Sequence, residues 1–412
     1  MLKIAMVSEH ASPLAALGGV DAGGQNVHVA ELSAGLARLG HEVSVYTRRD
    51  DPDLPEHVTT PQGYTVVHVP AGPAEQLPKD DLLTHMGPFA NYLDQRWRAD
   101  RPDIAHAHFW MSGLATHLAA RALDIPAVQT FHALGVVKRR HQGAQDTSPP
   151  DRLRLEAMIA RQATWVAATC TDEVFELMRL GRPRNRTSVV PCGVDLDLFT
   201  PDGPIAERTD RSRIVSVGRF VARKGFDVVV RALPAIQNAE LVLIGGPDRS
   251  VVEADPEARR LRALAEELGV SDRLVLRGAV ARADMPALLR SADVVACTPW
   301  YEPFGIVPLE AMACGVPVVA AAVGGMLDTV VHDVTGRLVT AKRSGEVADA
   351  VNMLLQDAFL RQSLGAAGRD RARARYSWDR VAADTQRIYD RLVATRFEQP
   401  ARAVHATTAS SR

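Results

Sequence analysis

Two glutamates in the second half of the chain have a spacing suited to binding a charged, hydroxyl-rich ligand. Glu302 and Glu310 lie in WYEPFGIVPLEAMACGVPVVAAAVGG, with seven residues between them. If a helix begins near Val307 or Pro308, its positive N-terminal end favours a diphosphate. Glu302 in the preceding loop then accepts from sugar hydroxyls, and Glu310 on the first helical turns accepts from both hydroxyls of a ribose. The alternative is that Glu310 only complements the helix dipole and Glu302 is a solvated loop charge.

Two cations in SVGRFVARKGFD have a spacing that lets them converge on one anion. Arg219 ends a predicted strand and Lys224 follows five residues later. Arginine offers a fixed fork of donors and lysine a point charge, so together they would stabilise a departing diphosphate as its negative charge grows. An isolated pair of this kind is more often surface charge, but the adjoining strand and glycines favour a binding role.

A pair of glycines opens a predicted helix near the amino terminus. Gly23 and Gly24 precede an amphipathic pattern that includes Leu32 and Leu36. Without side chains, these glycines would let the backbone approach a phosphate or a sugar. The spacing differs from the GxGxxG dinucleotide fingerprint, which argues against a nicotinamide or flavin enzyme.

Three histidines lie on or just after strand-like segments. His132 follows AVQTF and should lie at the carboxyl end of a strand, facing a cleft, although a strand-end histidine is more often structural. His106 and His108 share one face of a strand, but no third ligand at a suitable spacing accompanies them, so core or loop packing is expected. No aspartate pair resembles a metal-diphosphate site, and we predict no required metal and no cofactor.

The elements that position these residues follow an alternating pattern. Short apolar runs such as KIAMV, HEVSVYT, YTVVHVP, DIAHAHF, AVQTF, WVAAT and TSVVP are separated by helical patterns, which predicts a parallel sheet with helical crossovers. The alternation restarts with RIVSVGR, AELVLIG, RLVLRG, DVVACT and VPVVAA. The predicted fold class is therefore α/β, with two Rossmann-like doubly wound domains facing across a cleft.

The predicted domain limits follow from the turn-forming stretch near residue 200. We expect a first Rossmann-like domain over 1–199 and a second over 200–375. A helical segment, 376–397, should pack back toward the first domain, and a polar tail, 398–412, should be disordered.

Composition excludes several classes of protein. A formal charge of −1 and 24% charged residues give no general field for nucleic acid or a membrane. The start lacks a signal-peptide core and no apolar run is long enough to span a bilayer, which predicts a cytoplasmic enzyme, peripheral at the membrane if its acceptor is lipid-linked. The four cysteines, Cys170, Cys192, Cys297 and Cys314, are far apart and are expected to be buried thiols.

The motifs resemble those of glycosyltransferase family 4, whose members have the GT-B fold. EPFGIVPLEAMACGVPVV resembles the family's E-x7-E signature, and GGVDAGGQNVHVAELSAGLARLGHEVSVYTR resembles its inositol-phosphate-using and sucrose-phosphate synthase-like group. The resemblance implies retaining transfer from a nucleotide sugar, with UDP favoured over GDP. It also implies that the domain over 1–199 binds the acceptor and the domain over 200–375 binds the nucleotide sugar. It implies catalytic roles for His132, Arg219, Lys224 and Glu302, and donor contacts from Gly23, Gly24, Arg219, Lys224, Glu302, Phe304, Gly305, Ile306, Val307 and Glu310.

The acceptor side departs from the family pattern. In the inositol-phosphate-using members a lysine, a tyrosine, a threonine and an arginine surround the acceptor phosphate. Lys79 and Arg152 match this set, whereas Phe109 and Ala133 replace the tyrosine and the threonine. Each missing hydroxyl removes about 0.5–1.5 kcal/mol of net hydrogen bonding. The acceptor is therefore expected to be a small polar molecule, a cyclitol, a sugar or a lipid-linked sugar, unless Lys79 and Arg152 are ordinary surface charges.

The resemblance implies transfer of a hexose or N-acetylhexosamine to a hydroxyl, forming an α-glycoside. A double displacement needs a carboxylate beside the anomeric carbon, and none is identified, so front-face substitution is favoured. The alternatives are a GT-B epimerase, a phosphorylase or a non-catalytic sugar-nucleotide-binding protein. Oligomeric state stays open, a homodimer included.

Overall fold

The first half of the chain forms an eight-stranded sheet. The computed structural model describes residues 1–15 and 23–398. The strands follow the order β3-β4-β2-β1-β5-β6-β7-β8; β3 pairs antiparallel with β4, and the other pairs run parallel. Their bounds are β1 (Lys3–Val7), β2 (Glu42–Arg48), β3 (His57–Thr59), β4 (Thr65–Val69), β5 (Ile104–His108), β6 (Ala127–Thr130), β7 (Trp165–Ala168) and β8 (Thr187–Val189).

The second half forms a six-stranded parallel sheet in the order β11-β10-β9-β12-β13-β14. In each sheet the first strand of the half lies in the interior, so the strand order reverses beside β1 and beside β9, where ligand crevices form in such sheets. The bounds are β9 (Ser212–Val217), β10 (Ala239–Ile244), β11 (Leu274–Gly278), β12 (Val294–Cys297), β13 (Val318–Ala321) and β14 (Gly336–Val339).

Helices cover both faces of each sheet. Their bounds are α1 (Gly24–Arg38), α2 (Met86–Ala99), α3 (Trp110–Ala122), α4 (Gly135–Gln142), α5 (Arg152–Gln162), α6 (Thr171–Arg179), α7 (Phe226–Ala232), α8 (Pro256–Glu267), α9 (Met285–Arg290), α10 (Ile306–Ala313), α11 (Met326–Thr329), α12 (Ser344–Gln356), α13 (Ala358–Arg375) and α14 (Trp378–Glu398). We call the β1–β8 sheet with its helices the first domain and the β9–β14 sheet with its helices the second domain.

The last helix lies against the first domain. A core cluster on one face of the first sheet joins α1 to α14 and includes Leu32, Ala382 and the fully buried Tyr389. At the surface, Arg38 donates to Asp379 at 2.7 Å. We propose the division 1–199, 200–375 and 376–397 on this basis. The predicted disordered tail lies outside the described residues except for residue 398, which ends α14.

The apolar runs predicted as strands all form strands, and the α/β class with two doubly wound sheets is confirmed. Two short strands, β3 and β14, were not predicted; each lies at an edge of its sheet. In the described part of the chain, no helix combines the length and apolar character that a membrane span requires.

Candidate active site

A cleft of about 550 Å³ separates the two domains at the carboxyl ends of their strands. Both domains line it, the first through the loops after β5 and β6 and the second through the loops after β9 and β12. The predicted site residues come from places hundreds of positions apart in the sequence. All of them line this one cleft: Gly23, Gly24, Lys79, Phe109, His132, Ala133, Arg152, Arg219, Lys224, Glu302, Phe304, Gly305, Ile306, Val307 and Glu310.

Lys224 and Glu302, predicted from separate motifs, form an ion pair. The Lys224 Nζ donates to the Glu302 Oε2 at 2.5 Å, and both side chains are largely buried. Burial would raise the pKa of Glu302, but the charges of Lys224 and Arg223 outweigh it and hold that pKa below its ordinary value. Glu302 is therefore an ionised acceptor at neutral pH.

Glycines shape the loop that carries Arg219 and Lys224. The strand β9 ends at Val217, two residues before Arg219. Lys224 ends a 3-10 turn and is followed by Gly225 at φ 67°. A Cβ at Gly225 would lie 2.0 Å from the carbonyl oxygen of Thr298, so a larger residue does not fit there. This close approach holds Lys224 beside the loop that bears Glu302.

Glu310 lies on α10, which begins at Ile306, one or two residues before the predicted start near Val307 or Pro308. Gly305 precedes it in the left-handed region, at φ 77°. Glu310 is buried, and Arg282 Nη1 donates to its Oε1 at 3.0 Å. Burial raises the pKa of Glu310 to about 7, although the charge of Arg282 lowers it. Because dipole effects fade beyond the first turn, this second-turn position argues against a role confined to the helix dipole.

The two glycines at the start of α1 face the second domain. Gly23 caps the helix, and its N–H donates to Asn26 Oδ1 at 3.0 Å, so the prediction that these glycines open a helix is confirmed. A Cβ at Gly24 would lie 3.1 Å from Cδ1 of Ile306 and 3.5 Å from the Phe304 ring. Gly24 thus permits close approach between the domains at the start of α10.

His132 lies two residues beyond β6 in a left-handed conformation, at φ 62°. Its Nε2 shares a hydrogen bond of 2.9 Å with Nδ1 of His108, and its ring packs edge-on against Phe304. Burial, reinforced by neighbouring histidines, lowers the pKa of His132 well below its ordinary value. Its ring is therefore neutral, which suits a hydrogen-bonding role more than a charged one.

His106 and His108 are buried on β5, as expected for core residues. His106 Nδ1 shares a 2.6 Å hydrogen bond with the Tyr389 hydroxyl, and its Nε2 shares one of 2.9 Å with Thr130 Oγ1. Within residues 1–15 and 23–398, no group of three or more histidine, cysteine, aspartate or glutamate side chains could hold a metal ion. The cysteines are buried with free thiols, as predicted.

The proposed acceptor residues surround one aromatic ring. Lys79 Nζ lies 5.6 Å and the Arg152 guanidinium 5.2 Å from the centre of the Phe109 ring. Arg152 is 3% exposed, so the alternative that it is an ordinary surface charge is wrong. Its Nε donates to Glu156 at 2.8 Å and its Nη2 to the Ala133 carbonyl at 2.9 Å. The cation is thus already engaged by the protein.

The cleft also contains residues that sequence analysis missed. Tyr301 spans the domains, because Gln142 Nε2 on α4 donates to its hydroxyl at 2.7 Å. Tyr301 and Arg223 adjoin predicted residues and could have been found by widening the motifs. Gln142 and Arg282 had no local signal, since their role depends on neighbours distant in sequence. The missed residues include His10, Gln142, Arg223, Arg282 and Tyr301.

Comparison with known proteins agrees with this geometry. Residues 22–198 match the family described as Glycosyltransferase Family 4, and residues 202–371 match Glycosyl transferases group 1. A relative in Xylanimonas cellulosilytica, named D-inositol 3-phosphate glycosyltransferase, is 40% identical over 94% of this chain and 96% of its own length.

Solved structures show the same architecture. Sucrose-phosphate synthase from Thermosynechococcus elongatus has a TM-score of 0.87 at 31% identity, over 96% of this chain and 100% of the other. Anabaena HepE in complex with UDP-glucose has a TM-score of 0.71 at 21% identity, over 96% of this chain and 100% of the other, a likeness in fold. The chain belongs to glycosyltransferase family 4 and is a glycosyltransferase with the GT-B fold.

Proposed function

We propose that this glycosyltransferase moves a hexose or N-acetylhexosamine from a nucleotide sugar to an acceptor hydroxyl, with retention of configuration. One observation carries the proposal. The cleft sets the cations Arg219 and Lys224 and the carboxylates Glu302 and Glu310 of the second domain opposite His132 of the first. This set matches a donor that has a diphosphate, a ribose and a sugar.

Each part of the donor has a partner in the proposal. Arg219 and Lys224 bind the diphosphate, aided by backbone N–H groups at the start of α10. The charged Glu302 accepts from sugar hydroxyls, and Glu310 accepts from the ribose. Further donor contacts come from Gly23, Gly24, Phe304, Gly305, Ile306 and Val307, which line the same part of the cleft.

The proposed reaction is a front-face substitution. The acceptor oxygen bonds to the anomeric carbon as the bond to the diphosphate oxygen breaks, and the acceptor proton passes to a leaving phosphate oxygen. Arg219 and Lys224 stabilise the charge that develops on the diphosphate. His132, neutral because it is buried, binds the sugar without acting as a nucleophile. UDP is the favoured nucleotide, as the resemblance of the sequence motifs to the family implies.

The acceptor is proposed to be a cyclitol, a sugar or a lipid-linked sugar, bound by Lys79, Phe109, Ala133 and Arg152. Relatives are named for D-inositol 3-phosphate. Here Phe109 and Ala133 offer no side-chain hydroxyl, and Arg152 already donates to Glu156. Fewer donors toward a phosphate favour an acceptor that does not depend on one.

A transfer screen tests the proposal. UDP- and GDP-sugars are incubated with inositol, inositol phosphate and simple sugars, with an acceptor-free control, and products are identified by mass and anomeric configuration. We expect an α-glycoside from a UDP-sugar. Isomerised nucleotide sugar would indicate an epimerase, phosphate-dependent cleavage of a glycan a phosphorylase, and binding without turnover a non-catalytic protein.

A parallel arm contains EDTA. Because fixed cations and the α10 N-terminus face the diphosphate, we expect transfer to continue at close to the untreated rate. Complete loss that magnesium or manganese restores would contradict a metal-independent reaction.

A further inference from the structure

Three buried histidines form a line from the last helix to the candidate active site. The rings of His106 and His108 stack with centroids 4.3 Å apart, and those of His108 and His132 stack at 5.1 Å. All three side chains are at most 3% exposed. The proposed function uses His132 alone and leaves the other two polar rings, which cost free energy to bury, without a role.

The outer end of the line has a defined arrangement of protons. The Thr130 hydroxyl has a single proton and donates it to the Ala167 carbonyl at 3.0 Å. Thr130 therefore accepts from His106, whose Nε2 must carry a proton. Burial lowers the pKa of His106 to about 3, so the ring is neutral and its Nδ1 accepts from the Tyr389 hydroxyl.

The inner end shares one proton between two rings. A neutral imidazole carries one N–H, and the 2.9 Å contact joins Nδ1 of His108 to Nε2 of His132. If His108 donates, His132 must carry its proton on Nδ1; if His132 donates, its Nδ1 is a bare acceptor. In the described structure, the buried His132 Nδ1 and His108 Nε2 have no hydrogen-bond partner. His108 therefore couples the tautomer of His132 to its own.

We propose that His108 is a positioning residue that fixes the ring and the tautomer of His132 for the donor sugar. The inference rests on the proposed function, in which His132 contacts that sugar. His132 has a strained backbone at φ 62°, so its ring gains from an anchor outside its own loop. Phe304 packs against the ring from the second domain, and Tyr389 holds His106 behind His108.

Two substitutions of His108 separate the hydrogen bond from the space that the ring fills. His108→Phe keeps a flat ring beside His106 and removes the hydrogen bond. His108→Asn places an amide group near the position of Nδ1 and can restore it. We expect His108→Phe to lower kcat by about 3- to 10-fold, the effect of one neutral hydrogen bond, with KM for the donor changed less than about 2-fold. His108→Asn should recover most of the loss.

His68 supplies a matched control. It is a buried histidine on β4 of the same sheet, its Nδ1 donates to the Pro55 carbonyl at 2.6 Å, and it lies outside the cleft lining. His68→Phe should lower the melting temperature and leave kcat unchanged. Equal kcat losses in His68→Phe and His108→Phe would show a general packing effect and overturn the inference, as would a wild-type kcat in His108→Phe.

A readout independent of turnover is the pair of ring ¹⁵N shifts of His132, assigned by their disappearance in His132→Ala. We expect one fixed tautomer in the wild type and a changed or mixed tautomer in His108→Phe. Unchanged shifts would overturn the inference. Failure of the wild type to transfer any sugar would instead contradict the proposed function, and the ¹⁵N comparison would still decide the role of His108.

Discussion

The ion pair between Lys224 and Glu302 ties two binding functions together. Lys224 holds Glu302 in its ionised form, and Glu302 fixes the direction of the Lys224 ammonium. In the proposed function, a diphosphate beside Lys224 would compete with Glu302 for the ammonium, so donor binding would redistribute the hydrogen bonds of this pair. The carboxylate would then have greater freedom to accept from sugar hydroxyls.

Removing either cation of the proposed diphosphate site should slow turnover more than it disturbs folding. We expect Lys224→Ala and Arg219→Ala each to lower kcat by about 10²- to 10³-fold, as for deletion of one preorganised donor. Steady-state kinetics and thermal melts measure the two effects. Arg213→Ala is a control, since it breaks the buried pair with Glu240 and should lower the melting temperature alone. A wild-type kcat in either folded cleft variant would contradict the assignment.

Glutamine at position 310 separates ribose binding from a structural role. Glu310→Gln keeps the size of the side chain but removes the charge that strengthens hydrogen bonds from ribose hydroxyls. We expect UDP and UDP-sugar affinity to fall by about 1–3 kcal/mol, with acceptor affinity unchanged. Calorimetric titration beside a thermal melt measures both quantities. Unchanged nucleotide affinity with a stability loss of about 0.3–1 kcal/mol would support the helix-dipole role instead.

The pKa of about 7 at Glu310 predicts a pH-dependent donor affinity. This pKa is raised above its value in the unfolded chain. The protonated carboxyl therefore contributes to the stability of the folded state below about pH 4.5, and that contribution is lost as pH rises through 7. Donor binding has the opposite trend, because the ionised form is the stronger acceptor. UDP-glucose should bind up to about tenfold more weakly at pH 6 than at pH 8. Glu310→Gln should give a flat profile, and an equal slope in both proteins would contradict the prediction.

At the scale of elements, the sequence predicts long apolar strands better than short edge strands. β1, β9 and β10 are apolar runs with a pattern typical of buried parallel strands. β3 has only three residues, HVT, and β14 has only four, GRLV; both depend on pairing with a neighbouring strand. Local patterns cannot show pairing, so these two edges were missed.

Local patterns also limit how much of the candidate active site can be predicted from the sequence. Glu302, Gly305 and Glu310 lie in one string, where their spacing predicts a common purpose. Arg282 and His108 reach the site through tertiary contacts with Glu310 and His132, and no spacing in the sequence marks those contacts. Residues that act through distant partners therefore required the structure.

The contact between α1 and α14 depends on a small residue. A Cβ at Gly35 would lie 2.8 Å from the Cβ of Ala382, so Gly35→Ala should force the helices apart and lower stability by about 1–3 kcal/mol. Gly87 on α2 is the control, because a Cβ there meets nothing within 4 Å. Gly87→Ala should raise stability by about 0.5–1 kcal/mol. Denaturant unfolding measures the free energy of unfolding of both variants. A higher free energy of unfolding in Gly35→Ala as well as in Gly87→Ala would show that α1 and α14 adjust to the added methyl group without cost.

At the scale of the whole molecule, contacts cross between the domains on both sides of Glu302. Gln142 donates to the Tyr301 hydroxyl, and the backbone N–H of Thr171 donates to Asp328 Oδ2 at 2.5 Å. The Thr169 hydroxyl, whose proton goes to Glu173 at 2.5 Å, lies 3.3 Å from the carbonyl oxygen of Pro303. The loop that carries Glu302 is therefore held partly by the first domain. If this loop binds the donor as proposed, the domain arrangement and donor affinity should be linked.

Tyr301→Phe tests this link, because it removes the hydrogen bond from Gln142 and keeps the ring that stacks on His141 with centroids 5.0 Å apart. Losing one neutral hydrogen bond shifts an equilibrium by about 3- to 10-fold. If that bond favours the domain arrangement that binds the donor, the competent fraction falls and the apparent Kd for UDP-glucose rises by up to the same factor.

Titration calorimetry measures the Kd. Small-angle scattering at subsaturating and at saturating UDP measures the radius of gyration. The radius of gyration of Tyr301→Phe should exceed the wild-type value at subsaturating UDP and approach it at saturation. Tyr92→Phe is the matched control, since its hydroxyl contacts only Glu56 of the same domain among the described hydrogen bonds, at 3.4 Å. It should behave as the wild type. If Tyr301→Phe also binds UDP-glucose with the wild-type Kd, the contact between Gln142 and Tyr301 does not contribute to the arrangement of the domains that binds the donor.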